Sequence, residues 1–478
     1  MGPNLSRLLI CTALGLSAVV ASCDRDVSSV TGDPDTLDRL MSVLTPGDSP
    51  VLPPEDQYGA TDMPKMNSIE GSPERIDALP STGSGGATSS GGTLGWPTGG
   101  EPATGGASSG GTGGDSSTGG ERTSFGGSGN CTRYVDPTRY NYDSNIPRST
   151  SPPGGLDPEE VPQFVALGWD DVWRPSGIQW SIYILKERNL KNTYFMTTYY
   201  LWDGTIRSLW RDAYNAGFEV SNHTRNHSDG YDNDREGWDL EIQNAFTDLA
   251  APEESEFGTA GIAVASDQVR GFRSPYLHYR DELFDLMPSR GLWYDSSIED
   301  GWDPNEGPGA QAWPYTLDNG SAGHDYAQAQ SHPYRDFSVG KHAGVFELPA
   351  YAMVIPPDSL AEQYGFTAGL KERVRELDTH HGSTSDRIVG LDYDFWMIAR
   401  LTKQEFVAIL KYNLDQRLAG NRAPLLFGMH PHLYVGPGEW REAVEEFLDY
   451  AVSLDDVRVV TYREVFNYMR EPLPLDCY

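Results

Sequence analysis

Basic residues are scarce in this sequence. Lys and Arg together number 36, against 69 Asp and Glu, and the formal net charge is -33. Binding to nucleic-acid phosphates requires a concentrated basic face, and the chain shows none. The charge balance therefore excludes a nucleic-acid partner, whereas a neutral polysaccharide remains compatible with it.

Cysteine is almost absent, with four residues in a chain of 478. Cys11 lies inside an N-terminal apolar segment and Cys23 lies just behind it, which leaves Cys131 and Cys477 at the two ends of the predicted folded domain. In an oxidising compartment this pair favours a disulfide that joins the ends of the domain. Two unpaired thiols are the alternative.

The N-terminal apolar segment at 8–20 is too short to cross a bilayer comfortably, and it follows Arg7. This pattern predicts a signal peptide at 1–22 and an exported protein. The tetrapeptide VASC at 20–23 resembles a bacterial lipobox, in which the cysteine becomes the acylated first residue. We therefore expect a cell-envelope lipoprotein held to the membrane at Cys23, or an extracellular protein if cleavage leaves Cys23 unmodified.

Apolar residues are also scarce between 23 and 130, and Gly, Ser and Thr dominate from 71 onward. Such a segment buries too little apolar area to offset its chain entropy. We interpret 23–130 as a disordered leader and linker, either a flexible tether or a spacer without a role. The folded domain is expected at 131–478, since the chain's 12 Trp, 25 Tyr and 16 Phe are ample for a core.

Short β-branched or aromatic runs alternate with amphipathic segments from position 163 onward. The pattern predicts an α/β fold, a closed or distorted (β/α) barrel of about seven strands, with active residues at the C-terminal ends of the strands. The strand-like runs lie at 163–168, 192–197, 218–221, 269–272, 292–294, 345–348, 424–429 and 457–460. The intervals 298–341 and 356–395 are interpreted as loop insertions over one rim that shape a substrate groove.

Histidine does not occur before position 223, where SNHTRNH at 221–227 places His223 and His227 four positions apart behind a predicted strand. Two imidazoles at this spacing can bind one metal ion. Thr224 is expected to support the loop by hydrogen bonding. Surface or core histidines are the alternative interpretation.

Acidic residues follow the first predicted strand, where Asp170 and Asp171 lie side by side. One carboxylate can bind a metal ion while the other serves as a general base, although a turn or helix cap would also use this pair. Asp295 follows a later strand and is either a loop cap or the partner of a catalytic histidine.

Two further strand ends carry groups with catalytic chemistry. Arg273 in GFRSPY at 271–276 could hold a carboxylate or form an ordinary surface ion pair. In the same stretch, the turn at Pro275 could direct a backbone N–H at a developing oxyanion. His430 in FGMHPH at 427–432 could protonate a leaving group or be a buried structural histidine.

Together these stretches resemble a polysaccharide deacetylase of carbohydrate esterase family 4, which shares the nodulation-factor deacetylase homology domain. The resemblance runs from about 164 to 470. NTYFMT at 192–197 and AGFEVSNH at 216–223 resemble the second and third strands of the family. WPYTL at 313–317, FELP at 346–349 and NRAPL at 421–425 resemble the subgroup that contains the arthropod chitin deacetylases.

The resemblance implies that Asp171, His223 and His227 bind a divalent metal, usually Zn2+. Further roles are implied for five residues, namely Asp170 as the base, Arg273 orienting Asp170, the Tyr276 backbone N–H at the oxyanion, His430 protonating the departing amine, and Asp295 tuning His430. The chain departs from the family pattern after the two acids, where it has Val172 in place of glycine. His432 is an alternative acid, although His430 is nearer the strand end.

The expected function is removal of acetyl groups from an N-acetylated amino-sugar polysaccharide such as chitin, its oligomers or peptidoglycan. O-deacetylation of a plant polysaccharide such as acetylxylan is the alternative within enzymes. A non-catalytic envelope protein that binds glycans in the barrel groove is the alternative from another class. The presence of both carboxylates, both histidine ligands and the terminal histidine counts against a pure binding protein.

Overall fold

The computed structural model describes residue 131 and residues 134–253, 260–331, 337–377 and 386–478. The predicted signal peptide 1–22, the acylation site Cys23 and the leader 23–130 lie outside the described residues. Their assignment, like the domain boundary at 131, stays a prediction. Within the described ranges, no helix has both the length and the apolarity that crossing a bilayer requires.

Thirteen strands are present in the described residues. They are β1 (Gln163–Trp169), β2 (Thr193–Met196), β3 (Glu219–Asn222), β4 (Gly271–Phe272), β5 (Tyr294–Asp295), β6 (Glu299–Asp300), β7 (Tyr315–Thr316), β8 (Phe346–Glu347), β9 (Ala350–Tyr351), β10 (Met353–Val354), β11 (Arg387–Ile388), β12 (Leu425–Met429) and β13 (Val457–Val459).

Nine of these strands form one curled sheet. Eight of them follow the order β12-β1-β2-β3-β4-β5-β8-β7, and β13 pairs with the first half of β1. Neighbours in this sheet are parallel except at the edge, where β7 runs antiparallel to β8. Two smaller sheets, β6 with β9 and β10 with β11, lie outside it.

β1 is central because it has neighbours on both sides. All seven of its residues are buried, as expected for a strand inside a parallel sheet. Trp169 at its end is in register with Met429 of β12 and with Tyr194 of β2. The C-terminal ends of these strands therefore meet at one edge of the sheet, and the residues that follow them share one site.

Helices connect the strands and bury their apolar faces on the sheet. The two longest helices near the C-terminus pack on each other, and two of the helices begin with a capping box, formed by Thr402 with Glu405 and by Thr461 with Glu464. The α-helices are Pro175–Glu187, Gly204–Asn215, Arg235–Ala250, Asp281–Arg290, Ala322–Ser331, Ala361–Tyr364, Leu370–Leu377, Lys403–Ala419, Glu439–Val452 and Tyr462–Arg470.

The predicted distorted (β/α) barrel is confirmed, with a curled sheet of nine strands where about seven were expected. The intervals interpreted as loop insertions contribute one strand to this sheet, β7, and further elements outside it. The interval 298–341 contains β6, the antiparallel edge strand β7 and a helix, and 356–395 contains β11 and two helices. These intervals contribute regular structure rather than loops alone.

The disulfide predicted between Cys131 and Cys477 is confirmed, with a Cα–Cα distance of 5.3 Å. Beside it, the backbone N–H groups of Tyr134 and Val135 donate to the carboxylate of Glu471 at 2.6 and 2.9 Å. The beginning of the described chain is therefore fixed to its C-terminal end by a covalent bond and two charge-assisted hydrogen bonds.

Candidate active site

Three side chains converge beyond the ends of β1 and β3. Asp171 follows β1, His223 follows β3 at once, and His227 lies four residues further on. Their potential ligand atoms all lie within 4.8 Å of one another. His227 Nε2 is 2.9 Å and His223 Nε2 3.7 Å from Asp171 Oδ1. The structure thus brings together the three residues that the sequence predicts as metal ligands.

The ring of His223 is oriented by the backbone of Arg273. Its Nδ1–H donates to the Arg273 carbonyl oxygen at 2.7 Å. This bond leaves Nε2 unprotonated in the neutral ring, 3.7 Å from Asp171 Oδ1. Metal-binding histidines commonly have such a second hydrogen bond, which fixes the tautomer and the ring plane.

The cluster has polar atoms that the protein itself leaves unsatisfied. Among the described residues, Asp171 Oδ1 and His227 Nδ1 are buried and form no hydrogen bond of good geometry, although two imidazole nitrogens face Asp171 Oδ1. A buried carboxylate oxygen requires a compensating partner. One carboxylate oxygen and two imidazole nitrogens are a donor set that suits zinc, so the residues present fit a metal ion here.

The Asp171 carboxyl is held in its ionised form. Burial raises its pKa, but the neighbouring His227 and His223 imidazoles outweigh burial and hold the pKa well below its ordinary value. An ionised carboxylate is the form that binds metal ions.

The loops that carry the cluster contain unusual backbone conformations. Asp171, Thr224 and His227 have φ angles of 63°, 67° and 54°, which cost on the order of 1 kcal/mol each or more in residues other than glycine. Side-chain hydrogen bonds stabilise the second loop. The Thr224 N–H donates to Asn222 Oδ1 at 2.8 Å, and the His227 N–H donates to Thr224 Oγ1 at 3.1 Å. The predicted support by Thr224 is confirmed.

Asp170 lies beside this cluster and is held by Arg273. Arg273 Nη1 donates to Asp170 Oδ1 at 2.7 Å, and both side chains are almost fully buried. Arg273 also donates through Nε to the Ser296 carbonyl oxygen at 3.0 Å and through Nη2 to Ser296 Oγ at 3.0 Å and Tyr462 Oη at 2.8 Å. The predicted contact between Arg273 and Asp170 is confirmed, and the guanidinium group is fixed on three sides.

Gly168 leaves the space that the guanidinium group of Arg273 requires. A Cβ at this position would lie 2.8 Å from a ring carbon of Phe195 and 3.0 Å from Arg273 Nη1. Any larger residue at position 168 would therefore displace Arg273 or Phe195. The glycine belongs to the geometry of the site.

His430 follows β12 and is paired with a carboxylate. Its Nδ1 donates to Asp392 Oδ1 at 2.6 Å, and its backbone N–H donates to Asp392 Oδ2 at 2.8 Å. Asp392 is fully buried. Burial lowers the pKa of His430, but the Asp392 charge and hydrogen bond outweigh it and raise the pKa to about 9. At neutral pH His430 is therefore a cation that can donate a proton.

Part of this site lies in a stretch that matches a known protein family. Residues 158–294, which include Asp170, Asp171, both ligand histidines and Arg273, match the family model described as "Polysaccharide deacetylase". The matched stretch is similar to a polysaccharide deacetylase domain. The family resemblance stated from the sequence is thereby confirmed.

Two similar proteins are named as chitin deacetylases. Over 338 residues the chain is 24% identical to "Chitin deacetylase 8" of Bombyx mori, a match that covers 69% of this chain and 76% of the relative. It is 25% identical to "Chitin deacetylase 1" of Bombyx mori over 67% of this chain and 53% of the relative. A solved structure of a polysaccharide deacetylase described as putative, from Mycobacterium smegmatis, is 16% identical, covers 67% of this chain and 95% of that one, and gives a TM-score of 0.42.

The prediction that Asp295 tunes His430 in the deacetylase domain is wrong. The carboxylate that contacts His430 belongs to Asp392, whereas Asp295 accepts hydrogen bonds from the Ser297 N–H at 2.7 Å and Ser297 Oγ at 2.8 Å. Burial raises the pKa of Asp295, and its carboxyl group interacts with the buried Glu347. These contacts correspond to the alternative interpretation of Asp295 as a loop cap.

The sequence contains a signal for Asp392. The apolar run IVGL at 388–391 ends in Asp392, as the other strands of the domain end in functional residues. The run pairs with β12 only through an isolated bridge between Leu391 and Gly428. It lies in the interval 356–395, which the sequence pattern assigns to a loop insertion.

The two remaining residues of the predicted set lie at the same site. Tyr276 follows β4 with a φ of 59°, and its ring centroid is 4.6 Å from that of His227. The role of its backbone N–H at an oxyanion stays a prediction. His432 Nδ1 lies 3.7 Å from Asp171 Oδ2, and among the described residues no carboxylate forms a hydrogen bond with His432. The Asp392 contact favours His430 over His432 as the acid.

Proposed function

We propose that this protein is a metal-dependent hydrolase that removes acetyl groups from an N-acetylated amino-sugar polysaccharide, such as chitin, chitooligosaccharide or peptidoglycan. One observation carries the proposal: the cluster of Asp171, His223 and His227 adjoins an arginine-held carboxylate, Asp170, and a carboxylate-paired histidine, His430. Such a site offers a base and an acid close to a metal position.

The proposed roles follow from the contacts. Zn2+ is the cofactor that best suits two imidazoles and one carboxylate, and when bound it would acidify water and polarise the acetyl carbonyl group. Asp170, oriented by Arg273, accepts the proton of the attacking water. The Tyr276 backbone N–H stabilises the negative charge that develops on the carbonyl oxygen. His430 donates a proton to the departing amine, and the products are acetate and a free amino sugar.

Two alternatives compete with N-deacetylation. An O-deacetylase of acetylxylan could use the same groups. However, an alcohol leaving group requires protonation less than an amine does, and the His430–Asp392 pair provides a strong proton donor. The names of the Bombyx mori relatives also favour an amide substrate. A non-catalytic glycan-binding protein would have no use for a buried arginine–carboxylate pair beside a cluster of two histidines and an ionised carboxylate.

Acetate release tests the proposal. The purified chain, loaded with zinc, is assayed on chitin oligomers, peptidoglycan and acetylxylan, before and after treatment with a chelator. We expect release from the N-acetylated substrates that stops on chelation and returns with zinc. The Asp170→Asn variant should retain zinc and lose at least about 100-fold in kcat, the usual scale for removal of a general base. Activity that survives chelation, or loss of zinc in Asp170→Asn, would contradict the assigned roles.

We also propose export and attachment to a membrane through a lipid on Cys23, supported by the lipobox-like VASC at 20–23 and by the disulfide, which requires an oxidising compartment. Mass spectrometry of the mature N-terminus tests this. An unacylated N-terminus at another position would contradict lipid attachment.

A further inference from the structure

His432 is the one histidine of the FGMHPH stretch to which the proposed chemistry gives no role. Its ring lies between two neighbours, with ring centroids 5.2 Å from His430 and 5.5 Å from Trp173. Trp173 in turn stacks on Tyr200 at 5.6 Å, with an angle of 17° between the ring planes. We propose that His432, Trp173 and Tyr200 form a sugar-binding wall, in which His432 contacts a hydroxyl group of the acetylated sugar. The assignment rests on the proposed function, because such a wall serves only a saccharide substrate.

One ring nitrogen of His432 has no hydrogen-bond partner in the part of the chain that the structure describes. Nδ1 is buried and forms no hydrogen bond among the described residues. The nearest carboxylate oxygen, Asp171 Oδ2, lies 3.7 Å away, which is beyond hydrogen-bonding distance. A buried polar atom without a partner is unfavourable, and a hydroxyl group that arrives with the substrate would remove this penalty.

The neighbouring rings suit a pyranose. A sugar ring presents apolar C–H faces together with hydroxyl groups around its edge, so a site that recognises it combines aromatic surface with a few placed polar atoms. Trp173 and Tyr200 are half-buried in the segments that follow β1 and β2, and the Arg174 guanidinium group lies 4.0 Å from the centroid of the Trp173 ring. Because His432 Nδ1 lies 3.7 Å from Asp171 Oδ2, the wall adjoins the metal position and would contact the sugar that carries the reacting acetyl group.

Two other roles for His432 are less well supported by the contacts. As the catalytic acid it would need a carboxylate like the one that Asp392 provides to His430, and no described carboxylate forms a hydrogen bond with it. As a metal ligand it would belong to the cluster of atoms within 4.8 Å, and that cluster consists of Asp171, His223 and His227.

The position of His432 in this wall depends on Gly177. The turn that contains Pro431 packs against the start of the helix Pro175–Glu187. A Cβ on Gly177 would lie only 1.8 Å from the Pro431 carbonyl oxygen. Since only glycine allows this contact, the position of His432 relative to Trp173 is set by the backbone of both segments.

Substrate affinity without turnover tests the wall. Isothermal titration of zinc-loaded Asp170→Asn with the N-acetylglucosamine pentamer is compared in the same background with His432→Phe and with Trp173→Leu. We expect Kd to increase about three- to tenfold in each double variant, the range for one lost neutral hydrogen bond or aromatic contact. Bound zinc should remain unchanged, and Trp173→Phe should recover much of the affinity that Trp173→Leu loses. In the active background, His432→Phe should change KM more than kcat.

The control is Tyr183→Leu, which removes an aromatic ring that is 56% exposed on the outer surface of the helix Pro175–Glu187. Its Kd should equal that of the background. Unchanged Kd in His432→Phe would overturn the proposed wall. A large fall in kcat at unchanged Kd would overturn it as well and would assign the acid role to His432. Loss of zinc would instead identify His432 as a metal ligand. If the starting protein neither binds nor deacetylates the pentamer, the proposed function itself is wrong.

Discussion

Asp392 keeps the imidazole of His430 protonated by raising its pKa. Burial alone would lower the pKa of the imidazole, and the charge and hydrogen bond of Asp392 raise it to about 9, above the ordinary value of 6.5. A group whose pKa is raised on folding contributes stability that is complete below the unfolded-state value and is lost as the pH rises through the folded-state value. Both this contribution and the acid role of His430 should therefore disappear as the pH rises through about 9.

The Asp392→Asn variant tests this dependence. The amide keeps the shape of the side chain and removes its charge, so the pKa of His430 should fall towards or below its ordinary value of 6.5. We expect the alkaline limb of the profile of kcat/KM against pH to move to lower pH by about one unit or more. Profiles measured from pH 5 to 10 on an N-acetylated oligomer show the shift.

Asp295→Asn is the matched control for this profile. It makes the same chemical change at the carboxylate that the sequence suggested as the partner of His430. Its alkaline limb should stay where it is in the unmodified protein. If Asp295→Asn moved the limb and Asp392→Asn did not, the assignment of Asp392 would be wrong.

Much of the site could be predicted from the sequence because single residues at strand ends carry strong signals. Asp171, His223 and His227 each follow a run that reads clearly as a strand. The partner of His430 could not be inferred in the same way, since Asp295 and Asp392 both follow short apolar runs. Only the path of the chain in space decides which of the two carboxylates contacts the histidine.

The helix Tyr462–Arg470 contributes to the catalytic centre although it lies far from the family motifs in sequence. Its first residue, Tyr462, is buried, accepts a hydrogen bond from Arg273 Nη2 at 2.8 Å, and donates its own N–H to Thr193 Oγ1 at 2.9 Å. The capping box at Thr461 fixes the first turn of this helix. The start of the helix therefore helps to hold the guanidinium group that orients Asp170.

We predict that Tyr462→Phe lowers kcat about tenfold with little change in KM. The ring remains, but one N–H of Arg273 loses its acceptor, and the free energy of unfolding should fall by about 1–3 kcal/mol. Kinetics on an N-acetylated oligomer give kcat, and chemical denaturation gives the stability.

Tyr294→Phe provides the comparison for this variant. Tyr294 is also buried, stacks on Tyr462 with ring centroids 6.5 Å apart, and donates to Glu219 Oε1 at 2.8 Å, away from Arg273. It should lose similar stability and keep its kcat. Equal loss of kcat in both variants would mean that Tyr462 acts only through general stability.

At the same scale, the clearest sequence patterns gave the most accurate elements. The strand-like runs at 163–168 and 424–429 agree within one residue with β1 (Gln163–Trp169) and β12 (Leu425–Met429). The strands β4, β5 and β8 contain only two residues each, fewer than their apolar runs suggested. Neither the brevity of these pairings nor the antiparallel edge strand β7 could be predicted, since both depend on how distant segments meet in the curled sheet.

The two linked ends of the domain lie near the start of β1, opposite the active site. Tyr478 packs against Phe164 at the start of β1, with ring centroids 5.6 Å apart, whereas Asp170 follows the end of that strand. Seven residues of β-strand span roughly 20 Å. The disulfide between Cys131 and Cys477 therefore restrains the chain ends without contacting the catalytic groups.

We predict that replacing both cysteines by serine lowers the free energy of unfolding by about 2–4 kcal/mol, because the bond closes a loop with a sequence separation of 346 residues. The kcat on an N-acetylated oligomer should remain within about twofold of the unmodified value, as expected for a change that leaves the catalytic contacts intact. Denaturation and kinetics on the same preparation check both statements. A large fall in kcat at a temperature where the variant remains folded would contradict the separation of the disulfide from the site.

Asp171, His223 and His227 are proposed to hold a divalent metal close to a base, Asp170, and an acid, His430. Anomalous scattering from crystals of the zinc-loaded protein measures this directly. We predict one zinc peak about 2.0–2.2 Å from an Asp171 carboxylate oxygen and from the Nε2 atoms of His223 and His227. A zinc peak bound by other residues, or no peak at this cluster in protein that is active with zinc, would contradict the claim.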